Sequence, residues 1–242
     1  MSSLRAYVIT APLIVLATIV FGLVNLVVSL FVTSGRKQIG IARAWARCLL
    51  RVSGVKVQVE GLEKIAPEGS YVFVSNHLSY MDTPVVLANI PVQFRFLAKR
   101  GLFQIPLLGT HLARAGHIPV PRDDARAALK TMTIAAQAIR ERGISLLIFP
   151  EGGRSRSGEI AAFKEGAAYI AIRAGVPLVP IALRGTREVL PFGSAHVRPG
   201  SVTMRIGEPI PTDQIHLRDR GRITAELRDR IVSMLDKQPI HA

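Results

Sequence analysis

Apolar positions follow two regimes along the chain. From Ala6 to Gly35 a run of Val, Ile, Leu, Ala and Phe is interrupted by no charged residue. As a helix this run would measure about 45 Å, against about 30 Å for the hydrocarbon core of a bilayer. It can therefore span with tilt or bend within one leaflet, and Pro12, Gly22 and Asn25 are the positions where it could break. No small-x-small cleavage pattern follows it; Arg36 and Lys37 do, so the segment is expected to be retained as a membrane-associated helix. From Arg36 to Val52 the pattern changes to a helical period. Arg43, Arg47 and Arg51 recur every fourth residue with Arg36 on the same side, and Ile41, Ala42, Trp45, Leu49 and Val52 form the opposite face. Such a basic amphipathic helix can lie among lipid headgroups, or pack on the following domain with its arginines in water. The basic flank predicts that the chain beyond Gly35 is cytoplasmic, at the cytoplasmic membrane.

After Val55 short apolar runs alternate with helical stretches. Strands are expected at 55–60, 71–75, 94–98, 117–120, 145–149, 177–183 and 201–206, and helices at 122–142, 163–174 and near 223–236. This order predicts an α/β fold: a mixed, mostly parallel sheet flanked by helices, preceded by the N-terminal membrane-associated segment. The expected division is residues 1–53 as membrane-associated helices and 54–242 as the catalytic domain. Ligand sites in such sheets gather at the carboxyl ends of strands. Two polar clusters, 76–82 and 150–157, lie at such ends.

Charge narrows the partners. With 31 Lys and Arg against 17 Asp and Glu, the formal charge is +14, which calls for a polyanion. Zinc-finger spacing, a basic zipper and RNP-like aromatic strands are all missing, so anionic membrane lipids are expected and nucleic acid is not. Cys48 is the single cysteine, which excludes an internal disulfide. His111, His117, His196, His216 and His241 show no metal-ligand spacing, so no metal is expected. A Gly-x-Ser-x-Gly elbow and a Walker loop are absent, leaving covalent serine catalysis and nucleotide hydrolysis without their usual signatures.

The first cluster is Asn76-His77-Leu78-Ser79-Tyr80-Met81-Asp82. On one regular helix, side chains five apart diverge by about 140°. His77 and Asp82 meet only if His77 lies in the strand-to-helix turn and Asp82 in the first helical turn, with Ser79 as N-cap and Asp82 as its N3 acid. Asp82 would then fix the imidazole tautomer, and the other ring nitrogen could take a proton from an alcohol. The alternative is a capping aspartate beside an unrelated histidine. The second cluster, Phe149-Pro150-Glu151-Gly152-Gly153-Arg154-Ser155-Arg156-Ser157-Gly158, combines arginine forks with glycines that let backbone N–H groups approach a phosphate. Glu151 could fix an arginine or take a ligand hydroxyl; the alternative is a surface turn. Lys99 and Arg100 follow another strand and add a weaker basic feature.

Four blocks in this order resemble the glycerolipid acyltransferase family that carries an His-x4-Asp motif: 76–82; Ala98 to Gly109; Phe149 to Ser155 with Phe163-Lys164-Glu165-Gly166; and Val179-Pro180-Ile181-Ala182. The resemblance covers roughly residues 35–210. It implies acyl transfer from acyl-CoA or acyl-carrier protein, as co-substrate and without a cofactor, to the sn-2 hydroxyl of a lysophosphatidic acid. His77 would be the general base and Asp82 its orienting group. Glu151 and Arg154, within the loop Gly152-Gly153-Arg154-Ser155, would hold the glycerol phosphate, with Lys99 and Arg100 nearby. Gly153 stands where the family usually has Thr, and Gly101 where it usually has an acid; both positions bear on the acceptor. Other lyso-lipid acceptors such as lyso-ornithine lipid, or glycerol-3-phosphate, keep the same chemistry. A silent membrane-binding protein and a lipid hydrolase are the readings from other classes.

Overall fold

A computed structural model describes residues 6–32, 35–121, 124–155 and 157–237. Arg122, the expected start of one helix, and Arg156 lie outside the described residues. Helix α1 spans Ala11–Phe31 after a short wide turn over Ala6–Thr10. Pro12 falls in its first turn, where a missing N–H costs nothing, so the helix runs unbroken past Gly22 and Asn25. Helix α2, Arg36–Val52, turns back against α1. Its inner residues Ala42, Ala46 and Leu50 belong to the domain core, while Arg36 and Arg47 stay exposed. The packed reading of this amphipathic helix is therefore the one the structure shows.

Seven strands form one sheet in the order β1-β7-β6-β2-β5-β3-β4. They are β1 Val55–Glu60, β2 Val72–Ser75, β3 Phe94–Lys99, β4 Ile118–Val120, β5 Ser145–Ile148, β6 Leu178–Arg184 and β7 Gly200–Ile206. β6, β2, β5, β3 and β4 are parallel; β7 runs antiparallel to β6 and carries β1 parallel to itself. The sheet is thus mixed and mostly parallel, as expected. β2 and β5 are fully buried on both faces, which is why they read as unbroken apolar runs.

Strand pleating divides the core in two. Tyr71, Phe73, Phe94, Leu147, Val179 and Ile181 face α2 and α3 (Asp82–Asn89). Val72, Val74, Leu146, Ile148 and Leu178 face α5 (Ala125–Arg142), α6 (Gly166–Ala174) and α8 (Arg220–Asp236). The crossover from β2 rightward to β3 uses α3 on one face, and the leftward crossovers into β5 and β6 use α5 and α6 on the other. That arrangement keeps one handedness throughout. Two short helices were not legible from periodicity, α4 (Leu108–Arg114) and α7 (Thr186–Val189); each is too short to display it. α6 starts at Gly166 rather than 163, because Lys164 N–H donates to Pro150 O (3.0 Å) and holds 163–165 as a loop.

His117, just before β4, accepts the N–H of Phe96 at Nδ1 (2.9 Å). Burial, then the charges on His111 and Arg95, push its pKa down to about 3. A base with a depressed folded pKa contributes stability above its unfolded value near 6.5 and loses it as pH falls toward 3. His117→Asn keeps an acceptor for Phe96 without a titrating ring. Urea unfolding in micelles should show the parent losing up to about 1.4 kcal/mol per pH unit below 6.5 that the variant retains. Parallel pH profiles for the two would refute the assignment.

Candidate functional site

β2 ends at Ser75, and the next side chain prolongs the sheet. Asn76 Oδ1 accepts from Leu183 N–H (2.8 Å) and Nδ2 donates to Leu183 O (2.9 Å), so a side chain supplies one more rung to β6. The backbone then turns, and α3 begins at Asp82. The N-cap is Met81, not Ser79 as expected. Ser79 is drawn aside: its hydroxyl donates to Leu190 O (2.7 Å) and accepts from Met81 N–H (2.9 Å). The reaching-back half of the capping box does form, with Ser79 N–H donating to Asp82 Oδ2 (2.8 Å).

His77 and Asp82 meet under the geometric condition the spacing imposed. Nδ1 lies 2.8 Å from Oδ2 of Asp82, which also receives the N–H of Leu78 (2.9 Å). Asp82 has no solvent exposure and His77 is 8% exposed. A carboxylate opposite Nδ1 makes that nitrogen the N–H donor and puts the basic lone pair on Nε2. Phe149, just past β5, stacks on the imidazole with centroids 3.8 Å apart and planes 13° apart. The ring of Phe96 lies parallel beyond it at 6.4 Å.

The glycine-rich loop closes on the same turn. Glu151 accepts His77 N–H at Oε1 (2.6 Å) and Ala161 N–H at Oε2 (3.1 Å). Its hydrogen bonds thus go to two backbone groups, and Arg228 acts on it through charge alone. Burial pushes the Glu151 carboxyl above its ordinary range, with the charge of Asp82 adding to the rise, while the two N–H bonds and Arg228 oppose it. Ser155 N–H donates to His77 O (3.3 Å). Arg154 Nε donates to Ser79 O (3.1 Å), and its guanidinium covers the Tyr80 ring at 4.1 Å. Gly152 has φ +76°, and a Cβ there would stand 3.0 Å from Lys164 Nζ. Gly153 is exposed.

Lys99, the last residue of β3, and Arg100, just after it, are exposed. Among the described residues no hydrogen bond or ion pair ties them to His77. The register Phe73↔Leu147↔Phe96 places Lys99 level with Asn76 and Pro150. It lies two strands, about 10 Å, from His77's own strand. Asn76, Phe149 and Lys164 belong to the site although sequence reasoning gave them no role. All three fall within the family-like blocks, and Phe149 shares the pleat face of Leu147; the Asn76 clamp has no local signal.

The arrangement is an imidazole base on a buried carboxylate, flanked by a basic loop, at the carboxyl ends of parallel strands. The family model described as Acyltransferase matches residues 56–184, and the chain belongs to that family. It is similar to the chloroplastic 1-acyl-sn-glycerol-3-phosphate acyltransferase LPAT1 of Arabidopsis thaliana, 33% identical over 81% of this chain and 53% of that one. The 1-acyl-sn-glycerol-3-phosphate acyltransferase of Borreliella burgdorferi is 29% identical over 80% of this chain and 77% of its own length. That of Saccharomyces cerevisiae is 28% identical over 95% and 77%. The chain spans about half the length of the first relatives it matches. Its fold superposes on the crystal structure of the 1-acyl-sn-glycerophosphate acyltransferase PlsC from Thermotoga maritima with a TM-score of 0.81, covering 100% of both chains at 22% identity.

Glu151→Gln should test how the loop is tied to the histidine. An amide can accept only one of the two N–H groups and sets its own N–H against the other. The variant should lose about 1–3 kcal/mol of stability in chemical unfolding, the cost of an unmatched buried polar group. Unchanged stability would mean that the two bonds do not matter.

Proposed function

We propose that the chain transfers an acyl group from acyl-CoA or acyl-carrier protein to the sn-2 hydroxyl of 1-acylglycerol-3-phosphate, giving phosphatidic acid for phospholipid synthesis. The observation that carries this reading is the 2.8 Å pairing of His77 Nδ1 with buried Asp82. Nε2 takes the proton of the acceptor hydroxyl as its oxygen attacks the thioester carbonyl. The tetrahedral intermediate collapses with loss of thiolate, which recovers the proton from His77. Asp82 stabilises the transient imidazolium and keeps the ring in the productive tautomer. Arg154 holds the acceptor phosphate, with Lys99, Arg100 and the Gly153 backbone around it, while Gly152 and Ser155 shape the loop through their N–H bonds to Phe149 O and His77 O. Glu151 acts through the His77 backbone. The relatives, as 1-acyl-sn-glycerol-3-phosphate acyltransferases, support the acceptor, and the basic loop favours a phosphate over a zwitterionic headgroup.

The apolar helix from Tyr7 to Phe31, long enough to cross a membrane, suggests membrane association. We place it in the cytoplasmic membrane with the domain 54–242 on the cytoplasmic side, because Arg36 and Lys37 follow it. α1 stays against the domain along its length. The Tyr7 ring lies 5.3 Å from His196, Trp45 donates to Thr18 (3.1 Å), and Arg114 donates to Ser29 O. That contact favours lying within one leaflet over spanning. Its outer side exposes Leu13, Leu16, Ile19, Val20 and Val27 to lipid.

His77→Ala should lower transfer of a labelled acyl group by about 10²–10⁴-fold while vesicle association persists. An undiminished rate would sink the mechanism. Arg154→Ala should raise the acceptor KM by roughly 10–100-fold, the worth of one charge-assisted contact, with the donor KM little changed. A change confined to the donor KM would overturn the phosphate role, and a panel with glycerol-3-phosphate and lyso-ornithine lipid would identify the acceptor.

A further inference from the structure

The amino edge of the sheet, remote from His77, holds a concentration of positive charge that the acyl transfer leaves unused. Arg95, the second residue of β3, is only 4% exposed. Its guanidinium donates to Phe94 O (2.9 Å) and Gln93 Oε1 (3.3 Å). Among the described residues, no carboxylate forms an ion pair with it, nor with Arg36, Arg43 or Arg142. Arg43 donates to Ile90 O and Val92 O, and its buried Nε has no hydrogen-bond partner. Burial first, and then the charges of Arg142, Arg43 and Arg36, lower the Arg95 pKa to about 10, so it is still a cation at neutral pH.

Two left-handed glycines wall this cation. A Cβ on Gly35 would stand 2.8 Å from Arg95 Nη2, and one on Gly116 3.3 Å from Nε. Gly35 is also the N-cap of the 17-residue helix α2, whose first turn holds Arg36 and Lys37 and no acid. The amino end of a helix carries about half a positive charge. A buried guanidinium, a helix amino end and the charges of exposed Arg36 and Arg142 therefore act on one another with no carboxylate paired to these arginines among the described residues. Each raises the energy of the others, and an uncompensated buried charge is costly. An anion seated between them adds an attraction to each of these positive charges and offsets their mutual repulsion.

We propose that Arg36 and Arg142, above buried Arg95 and the amino end of α2, form a phosphate-binding subsite that takes the headgroup of an anionic phospholipid of the bilayer. The inference rests on the membrane reading above and not on the catalytic roles. The source of the phosphate follows from position. α1 ends at Phe31, which is 81% exposed, four residues before Gly35, so the subsite opens where the apolar helix leaves the hydrocarbon. Free phosphate offers the same chemistry from water. Arg95 lies four residues before Lys99, which is level with Asn76, so the subsite stands about 13 Å or more from the catalytic edge. A lipid held there would pin the domain at the end of α1 remote from Tyr7.

The test uses the full chain carrying His77→Ala, so that turnover and acyl-transfer activity do not enter. Co-flotation is measured with vesicles of phosphatidylcholine alone and with one quarter phosphatidylglycerol. Arg36→Gln with Arg142→Gln is compared with Arg218→Gln with Arg222→Gln, an equal loss of charge elsewhere on the exposed surface. The first pair should weaken binding to the anionic vesicles by roughly tenfold or more, and the second by much less. Binding to phosphatidylcholine alone should not separate them. Equal losses in the two pairs would overturn the subsite in favour of diffuse attraction. In a second arm, millimolar inorganic phosphate is added to the micellar protein and to the vesicles. No change in Tm and no competition is expected. A phosphate-dependent rise in Tm that the Arg36/Arg142 pair abolishes, with loss of vesicle selectivity, would overturn the lipid as the ligand.

Discussion

Burying the Asp82 carboxylate is the constraint on which the strand end depends. A carboxylate without solvent costs several kcal/mol unless donors surround it. Here the donors are the His77 ring and the backbone N–H groups of Leu78 and Ser79, all converging on Oδ2. They converge only because the chain turns directly after Asn76 and enters α3 at Asp82. The carboxylate also sits at the positive end of α3, which favours its charge. Turn, helix start and imidazole orientation are thus solutions to one electrostatic problem.

The neighbouring strands make that turn rigid. β6 holds Asn76 through both Leu183 backbone groups, and β5 sends Phe149 to cover the imidazole and Glu151 to receive the His77 N–H. The histidine therefore has its ring face, its ring nitrogen and its backbone each fixed from a different segment. A base that must meet a hydroxyl in the right geometry gains from such fixation, because little orientational freedom is left to lose. The parallel pairing of β2 with β5 and β6 brings these segments to one edge.

Local patterning made much of this legible. The seven strands follow from their apolar runs, and the pairing of His77 with Asp82 follows from spacing once the turn is required. What stayed hidden depends on contacts distant in sequence. Nothing near Asn76 indicates Leu183, 107 residues away. Nothing in β1 indicates that it joins β7 and runs against the central strands. Ser79 fits an N-cap by residue type, but Leu190 competes for its hydroxyl and the cap moves to Met81. Glu151 has the chemistry of a ligand group, yet its neighbours in space are two N–H groups that take both oxygens.

The same logic of charge operates with opposite sign at the two edges of the sheet. At the carboxyl edge a buried anion receives three donors on Oδ2 from the turn it organises, while its buried Oδ1 has no hydrogen-bond partner among the described residues. At the amino edge a buried cation, Arg95, finds carbonyls but, among the described residues, no carboxylate, and Arg36, Arg43 and Arg142 lie near enough to lower its pKa. A chain with 17 acids could have placed one there, as Glu60 is placed against Arg205 (2.5 Å). Helix α1 runs between these edges; Tyr7, in the turn before it, touches His196, and Ser29, near its end, accepts from Arg114. An external anion at the amino edge and a lipid acceptor at the carboxyl edge would then anchor the domain at both ends of α1. On that proposal the bilayer would lie along the helix, and the acceptor would reach His77 from the lipid side without leaving the surface.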